Sequence, residues 1–302
     1  MEPWRRYASL VDDVEAFRQA CERPLPTAVR VNPIKTTPEA TRSLLDRESV
    51  AFERRPWSDR TLILDTDSPG RTWANQHGWI HGQEEISQLP PHLLDPRPGD
   101  IVWDAAAAPG GKATQLAARV RDDGLVIAND ANLGRLASLR SNADRLGVDN
   151  MLVTNQDARN YSMDSIPVDQ FDHALVDAPC SGEGTIRKNP SVITDWEESA
   201  LEHLSALQVG ILRRALDTTR PGGTVLYSTC TFAPEENEGV LDRVLGDGTA
   251  ELVPLDTPIS GASGITEWNG TQYDSSVRHA VRFYPHEHDT GGFFCAKLRV
   301  VE

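Results

Sequence analysis

The sequence predicts an α/β protein with a mostly parallel sheet, preceded by a small α+β unit. From residue 100 onward, apolar stretches of strand length alternate with stretches of helix length, whereas the elements before residue 89 are short and mixed. Between the two regions lies the proline-rich stretch LPPHLLDPRPGD, at 89–100. Alternating strands and helices imply a parallel sheet that is covered on both faces. We therefore predict two domains, residues 1–95 and 96–302.

The N-terminal region is predicted to form the mixed unit. TAVRVN at 27–32 and TLILD at 61–65 favour strands, and PEATRSLLDRE at 38–48 favours a helix with a proline near its start. Four prolines at 90, 91, 96 and 98 should break any regular element within 89–100. That stretch is the predicted domain boundary.

The second region is predicted to carry the large sheet. Its candidate strands are 101–104, 125–130, 151–157, 171–179, 223–230 and 292–300, and its candidate helices are 111–120, 133–147 and 193–219. The last helix carries leucines and other apolar residues at helical spacing, which is typical of a core-facing side. In parallel sheets of this kind, ligands bind beyond the carboxyl ends of the strands.

Composition restricts the cellular setting. The 302 residues carry a net charge of -15, and lysine occurs at only four positions, 35, 112, 188 and 297. Such an acidic, lysine-poor chain fits a cytoplasm of molar salt, the setting of a halophilic organism. In that salt the counterion-release term is small, so acidity does not exclude a nucleic-acid partner. No stretch approaches the roughly 20 apolar residues of a membrane-spanning helix, so we predict a cytoplasmic protein with no membrane partner.

One strand-to-helix turn predicts a nucleoside cofactor. Strand 101–104 runs into DAAAAPGGK at 104–112, where small residues let the backbone approach a ligand and the helix start offers free N–H groups. The next strand ends at Asp130, a position where a carboxylate commonly binds ribose hydroxyls. The turn has neither the GxGxxG nor the GxxxxGK[ST] pattern. A plain tight turn is the alternative explanation.

Two of the four cysteines are candidates for chemistry. Cys180 and Cys230 both follow predicted strands at the ligand side, whereas Cys21 and Cys295 are expected to be buried. Burial as a small apolar residue is the usual alternative for any cysteine. The four lack zinc-like spacing, so we predict no metal site.

A thiol beside a nucleoside cofactor suits methylation of carbon 5 of a pyrimidine. That carbon becomes nucleophilic only after a thiolate adds to carbon 6, and covalent catalysis requires an activated nucleophile close to both substrates. A second group must then take the carbon 5 proton. Two cysteines and a carboxylate such as Asp177 could supply these functions, but the residues alone leave open which cysteine attacks.

Several motifs resemble the Nol/Nop/Sun family of RNA cytosine-5 methyltransferases. They are RVNP around residue 31, GQEEIS at 82, DAAAAPGGK at 104, ANDAN at 128, DAR at 157, DAPCSGEGT at 177, YSTCTFAPEENE at 227 and RFYPHEHDTGGFF at 282. Together they cover nearly the whole chain in this order. The resemblance implies a Rossmann-like class I methyltransferase sheet, an N-terminal RNA-recognition domain and S-adenosylmethionine as cofactor.

The resemblance also implies a role for individual residues. Cys230 would be the nucleophile, Cys180 would assist product release, and Asp177 and Lys112 would lie by the flipped base. Asp130 would hold the ribose. The remaining cofactor residues would be Ala106, Ala107, Ala108, Pro109, Gly110, Gly111, Lys112, Arg135, Asp157 and Asp177. Alanine stands at 106 and 113, where family members often have cysteine and threonine, which affects only the local shape of the loop.

Other candidates have two interpretations. Arg30 and Asn32 could contact RNA or brace a strand. His286 and His288 could touch substrate or lie in a solvated loop. Glu235, Glu236 and Glu238 follow a proline, and we expect them in the first turn of a helix, where acids interact favourably with the dipole.

The predicted partner is RNA, with transfer RNA as first choice and ribosomal RNA second, bound by a monomer. One alternative is a methyltransferase for DNA, protein or small molecules, but the Glu-Asn-Val and Asn-Pro-Pro-Tyr motifs of two such classes are missing. A noncatalytic RNA-binding assembly factor is the other. Such a factor would be expected to have lost the cysteines or the cofactor turn, but the sequence contains both.

Overall fold

The computed structural model describes residues 2–121, 123–164 and 166–301. The first part of the chain forms α1 (Pro3–Arg6), α2 (Val14–Glu22), β1 (Thr27–Val31), α3 (Pro38–Arg47), β2 (Phe52–Arg55), β3 (Ser58–Leu64), α4 (Trp73–Gln76), β4 (Ile80–Gly82) and α5 (Leu89–Leu94). Its four strands make an antiparallel sheet in the order β2-β3-β1-β4. Val29, Leu62 and Ile80 from this sheet pack on Leu45 of α3 and form a small core.

The second part forms the large domain. Its helices are α6 (Gly111–Arg119), α7 (Leu133–Leu146), α8 (Val192–Asp195), α9 (Ser199–Thr218), α10 (Glu238–Leu245) and α11 (Pro285–His288). Its strands are β5 (Ile101–Asp104), β6 (Leu125–Asn129), β7 (Met151–Thr154), β8 (Phe171–Asp177), β9 (Thr219–Thr229), β10 (Ala250–Val253), β11 (Ala262–Ser263), β12 (Glu267–Trp268), β13 (Thr271–Gln272), β14 (Val281–Phe283) and β15 (Phe293–Val300).

The large sheet has the order β11-β14-β15-β9-β8-β5-β6-β7. The five strands from β9 to β7 run parallel, and β15 joins them antiparallel beside β9. From β5 the chain moves outward to β6 and β7 and then crosses to β8 on the other side, so β5 lies at the topological switch point. This arrangement confirms the predicted α/β, Rossmann-like sheet, and it gathers Asp104, Asp177 and the segment after Thr229 at one edge.

The proline-rich stretch is partly helical, and the prediction that prolines break it was wrong for residues 89–94. Pro90 and Pro91 occupy the first turn of α5, where an N–H has no acceptor within the helix and its loss costs nothing. Leu89, Leu93 and Leu94 pack in the same core cluster as Val102 of β5. Helix α5 therefore contributes to the core of the large domain.

The single helix predicted at 193–219 is two helices. Trp196, between α8 and α9, has an extended backbone (φ -74°, ψ 129°). Its side chain packs with the cluster around Tyr7, and the Arg6 guanidinium lies 5.3 Å from its ring. This long-range contact interrupts a pattern that is helical by sequence. The other predicted strands of the large sheet are present with ends shifted by a few residues.

The N-terminal helices pack on the large domain. Tyr7, Phe17 and Cys21 share an apolar cluster with Phe232 and Tyr284 from the far end of the chain. Residues on both flanks of the antiparallel sheet thus share apolar clusters with the second part of the chain, and the predicted boundary at residue 95 stays a prediction. Cys21 and Cys295 are buried, as predicted. No helix among the described ranges is long and apolar enough to cross a bilayer.

Candidate active site

A cavity of about 750 Å³ lies at the carboxyl ends of β5, β8 and β9. One wall is the turn after β5, with Ala106, Ala107, Ala108, Pro109, Gly111 and Lys112. The opposite wall comes from the N-terminal part of the chain, at 24–28 and 81–84. Asp177, Cys230 and Phe293 line the cavity between these walls. Predicted site residues from distant parts of the chain therefore meet in one space.

Gly110 supports the turn from behind. It has φ +107°, and a Cβ there would lie 2.8 Å from the Leu139 side chain of α7. Only glycine combines this backbone conformation with so close a packing contact. Gly110 is not among the residues that line the cavity, so the predicted contact with a cofactor falls to its neighbours.

Asp130 also lies behind the turn, almost fully buried. Its carboxylate accepts hydrogen bonds from the N–H groups of Ala108 (3.2 Å) and Asn132 (2.8 Å) and lies 3.2 Å from Arg135 Nη1. Arg135 lines the cavity and also donates to the Ala108 carbonyl. Asp157 lies outside the cavity and pairs with the neighbouring Arg159. The predicted ribose contact of Asp130 and the predicted cofactor contact of Asp157 stay predictions.

Lys112 and Asp177 form an ion pair on the cavity wall. Lys112 Nζ donates to Asp177 Oδ2 at 2.7 Å, and Ser228 Oγ donates to Asp177 Oδ1 at 2.9 Å. Burial acts to lower the pKa of Lys112, but the attraction of Asp177 outweighs it and raises that pKa. Lys112 is therefore a cation held near Cys230.

The sulfur atoms of Cys180 and Cys230 are 3.4 Å apart. Cys230 lines the cavity, whereas Cys180 does not. The hydrogen bond to Cys230, together with burial, raises the pKa of Cys180 well above its usual value, so Cys180 is held as a thiol. The pair thus has one sulfur that faces the cavity and one protonated sulfur behind it.

A buried carboxylate that the sequence analysis missed holds the two cysteine loops together. Glu183 accepts hydrogen bonds from Tyr7 Oη (2.8 Å to Oε2) and from Thr231 Oγ1 (3.0 Å). The Gly184 N–H in turn donates to the Cys230 carbonyl at 2.9 Å. Burial raises the pKa of Glu183 to about 7, although these donors oppose the shift. The only signal in the sequence was its place within CSGEGT.

The helix-dipole interpretation was wrong for two of the three glutamates after Pro234. Helix α10 begins at Glu238, so Glu235 and Glu236 precede it. Glu236 is buried and accepts from Ser181 N (3.0 Å) and Gln208 Nε2 (2.8 Å), and burial raises its pKa. Glu238 pairs with buried Arg282 at 2.7 Å. Their role is structural, as expected, but it comes from specific donors.

Asp104, at the end of β5, is a cavity residue that the sequence analysis did not single out. Its side chain is buried, and neither carboxylate oxygen has a hydrogen-bond partner among the described residues. Burial and then the negative charge of Asp177 raise the pKa of Asp104 to about 7, which the Ala106 N–H and Lys112 only partly offset. The signal was available, since Asp104 is the first residue of DAAAAPGGK.

Arg30 and Asn32 connect the N-terminal sheet to the large domain. Arg30 donates to Gln83 Oε1 (2.9 Å) and Thr114 Oγ1 (3.1 Å). Asn32 Nδ2 donates to the carbonyls of Gly78 and Leu146, both at 2.8 Å. Both residues are buried, which is contrary to direct reading of RNA from an open surface and agrees with the bracing alternative.

The two C-terminal histidines lie away from the cavity. His286 Nε2 is 3.0 Å from Asp12 Oδ1, and His288 Nε2 is 2.6 Å from the Ser260 carbonyl. Neither lines the cavity. Their contacts tie the C-terminal loop to neighbouring segments, so a substrate role has no support in the geometry.

Several known proteins resemble this chain along almost its whole length. It is 36% identical over 297 residues to a tRNA (cytosine(49)-C(5))-methyltransferase of Pyrococcus abyssi, which covers 97% of this chain and 94% of that protein. It is 34% identical to ribosomal RNA small subunit methyltransferase F of Escherichia coli O127:H6, over 94% of this chain and 59% of that protein. Against the mouse 28S rRNA (cytosine-C(5))-methyltransferase the identity is 35%, over 94% and 36% of the two chains. The chain thus spans only part of the rRNA enzymes.

Solved structures agree. A methyltransferase homologue from Pyrococcus horikoshii has a TM-score of 0.86 at 35% identity, over 98% of this chain and 94% of that one. NSun6 from the same organism has a TM-score of 0.85 at 23% identity and shows the shared fold. Residues 91–299 match the family described as 16S rRNA methyltransferase RsmB/F. These matches confirm the family expected from the motifs, and the chain belongs to the RsmB/F (Nol/Nop/Sun) methyltransferase family.

Proposed function

We propose that this protein methylates carbon 5 of cytosine in RNA, with S-adenosylmethionine as methyl donor and Cys230 as nucleophile. The observation that carries the proposal is the thiol pair: two sulfurs 3.4 Å apart, one on the cavity wall and one held as a thiol behind it. A pyrimidine needs such a pair because one group must attack the ring and another must handle a proton.

The cavity fits the cofactor. S-adenosylmethionine carries a cationic ammonium and a sulfonium, and when bound it supplies an electrophilic methyl group. Asp104 presents a buried carboxylate whose oxygens have no hydrogen-bond partner in the described part of the chain, and a bound cation would stabilise it. Ala106, Ala107 and Ala108 leave room along the turn, and Arg135 at its rim is a cation for the cofactor carboxylate.

Each residue of the site has its own role in the proposed reaction. The Cys230 thiolate adds to carbon 6 of the flipped cytosine, which makes carbon 5 nucleophilic. Lys112 and Asp177 hold the base edge. After transfer, the carbon 5 proton passes to Cys180 while Cys180 gives its own proton to the departing Cys230 sulfur. The carbon 6–sulfur bond breaks, and Cys180 ends as the thiol it began as.

Denaturing gels with labelled RNA test the assignment. Cys230→Ala should give neither methylated RNA nor a covalent complex, because the attacking sulfur is gone. Cys180→Ala should accumulate a covalent protein–RNA complex, because product release is blocked. Cys295→Ala, at a buried strand position outside the cavity, is the control and should behave as the parent protein. A complex trapped by Cys230→Ala but not by Cys180→Ala would reverse the two roles.

Transfer RNA is the proposed substrate and ribosomal RNA the second candidate. The support is similarity: the chain is 36% identical to the tRNA enzyme of Pyrococcus abyssi in a match that takes in 94% of that protein. Bisulfite sequencing of both RNA classes from a deletion strain should show lost methylation in transfer RNA. Loss confined to ribosomal RNA would favour the second candidate.

A further inference from the structure

A second cavity lies between the N-terminal sheet and helix α6, on the far side of Gln83 from the active site. Its volume is about 60 Å³, and three arginines line it, Arg30, Arg60 and Arg119. None of the described residues that line it is an aspartate or glutamate. In a chain with a net charge of -15, a cavity with only cationic charges is unusual.

Arg30 is buried without an anion. Its side-chain nitrogens donate to Gln83 Oε1 (2.9 Å), Thr114 Oγ1 (3.1 Å) and the Gly111 carbonyl (3.4 Å), and all three acceptors are neutral. No carboxylate lies within ion-pair distance of it among the described residues. A buried guanidinium is ordinarily paired, because desolvating an ion costs several kcal/mol.

The neighbouring cations increase this imbalance. Burial, and then the charges of Arg60, Arg119 and Arg145, lower the pKa of Arg30 to about 9. Arg60 is exposed and forms no ion pair within the described ranges, and the only carboxylate near Arg119 is exposed Asp95, at 3.3 Å. Three guanidinium groups therefore face one small space with a single peripheral counter-charge.

We propose that this cavity binds the oxyanion of a phosphate group, and that in the working enzyme the group is a backbone phosphate of the substrate RNA. The RNA part rests on the proposed function. A water occupies ~30 Å³ of liquid, so the space suits a few waters or one oxyanion and is too small for a base. Guanidinium groups bind phosphate through paired N–H donors, which a lysine could not provide.

The second cavity lies close to the active site. Gln83 Oε1 accepts a hydrogen bond from Arg30, and Gln83 also lines the active-site cavity. A phosphate bound to Arg30 would therefore be linked to the wall of the active site through this hydrogen bond. An RNA strand held there would cross the junction between the N-terminal sheet and α6. The site would position the strand and carry no base specificity.

The first experiment measures anion binding by the whole protein. Thermal unfolding of the parent protein is followed in phosphate and in chloride at matched ionic strength. Arg60→Gln and Arg119→Gln are compared with Arg47→Gln, which removes an exposed arginine at the end of α3 outside this cavity. Phosphate stabilises all proteins somewhat by exclusion from the surface. We expect an additional upward shift in the parent and in Arg47→Gln that both cavity variants lose.

The second experiment measures affinity for transfer RNA across a salt series. Loss of one phosphate contact lowers the slope of log K against log salt by about 0.7–0.9. Each cavity variant should show that decrease and bind about tenfold more weakly at low salt, whereas Arg47→Gln should keep the parental slope. Arg30 itself is not replaced, because its loss would also break the contact between the domains.

The outcomes separate the parts of the proposal. Cavity variants that keep both the phosphate shift and the parental RNA slope would overturn the anion site. Loss of the phosphate shift with an unchanged RNA slope would mean that the ligand is a free anion, which overturns the RNA part. Failure of the proposed function is distinct: the parent protein would then not methylate RNA and Cys180→Ala would trap no adduct, while the phosphate shift would still be measured.

Discussion

Two buried carboxylates lie near the active site, Glu183 behind the cysteines and Asp104 at the cavity, and they differ in what surrounds them. Glu183, behind the cysteines, accepts hydrogen bonds from Tyr7, Thr231 and the Phe232 N–H. For Asp104, under the turn after β5, the described residues give neither oxygen a hydrogen bond of good geometry, although the nearby Ala106 N–H lowers its pKa. Burial raises the pKa of both to about 7. The two carboxyl groups therefore reach about the same pKa in different surroundings.

The difference indicates what each group is for. A buried polar group with its donors in place stabilises the fold, whereas one left without partners costs free energy until a ligand supplies them. Glu183 is thus a positioning residue that fixes the spacing of the cysteine loops. Asp104 fits the binding role proposed for it above. The pKa alone would not have separated them.

The largest effect is expected from Asp104→Asn. If the cofactor ammonium pairs with this carboxylate, its affinity should fall about 100-fold, since removing one partner of a buried ion pair costs roughly 2–5 kcal/mol. Calorimetric titration with S-adenosylmethionine would measure the loss. Asp247→Asn, in an exposed pair with Arg213, is the charge-matched control and should bind normally. If Asp104→Asn bound S-adenosylmethionine with normal affinity, the proposed difference in role between Asp104 and Glu183 would be wrong.

The second prediction concerns pH. The pKa of Asp104 is raised from 3.8 to about 7 on folding, so the folded protein holds this proton more tightly than the unfolded chain. The contribution of Asp104 to the stability of the unliganded protein should therefore fall as pH rises from about 4 to 7. Over the same pH range, the free energy of unfolding of Asp104→Asn should fall less than that of the parent protein, by on the order of 2 kcal/mol. Urea unfolding at several pH values would show this, and parallel curves for parent and variant would contradict it.

A smaller effect is expected at Glu183. Glu183→Ala leaves the buried Tyr7 hydroxyl without its acceptor and should destabilise the protein by about 1–3 kcal/mol. It should also slow formation of the RNA adduct while leaving cofactor affinity unchanged. Glu183→Gln keeps an acceptor oxygen and should recover most of both losses. If Glu183→Ala also weakened cofactor binding, the role of Glu183 would extend beyond positioning the cysteine loops.

The smallest effect is expected from Tyr7→Phe. It removes one hydroxyl from Glu183 but keeps the ring in its apolar cluster, so the cost should be about 1 kcal/mol. Thermal unfolding and the rate of adduct formation would measure it. Tyr7→Ala, which also removes the ring, should cost several times more. If the two variants behave alike, the hydrogen bond and not the packing holds the N-terminal helices in place.

Much of the fold followed from local pattern. Strands such as 101–104 and 125–130 are short apolar runs bounded by glycine or aspartate, and burial on both faces makes such runs visible in sequence. Where prediction failed, a distant contact had intervened. Trp196 leaves the helix to pack near Tyr7, almost 190 positions earlier, and α5 forms because its leucines reach the core beside Val102.

The sequence by itself determined the chemistry available: two strand-end thiols, a cofactor turn of small residues, and the family motifs that contain them. Only the tertiary structure decided how these residues are used. It set the sulfurs 3.4 Å apart, placed Cys230 on the cavity wall, buried Asp104 with no well-formed hydrogen bond from any described residue, and buried Arg30 among other cations. The reason is physical. Residue type fixes which bonds a side chain can form, but burial and the presence or absence of a partner depend on segments far apart in the chain.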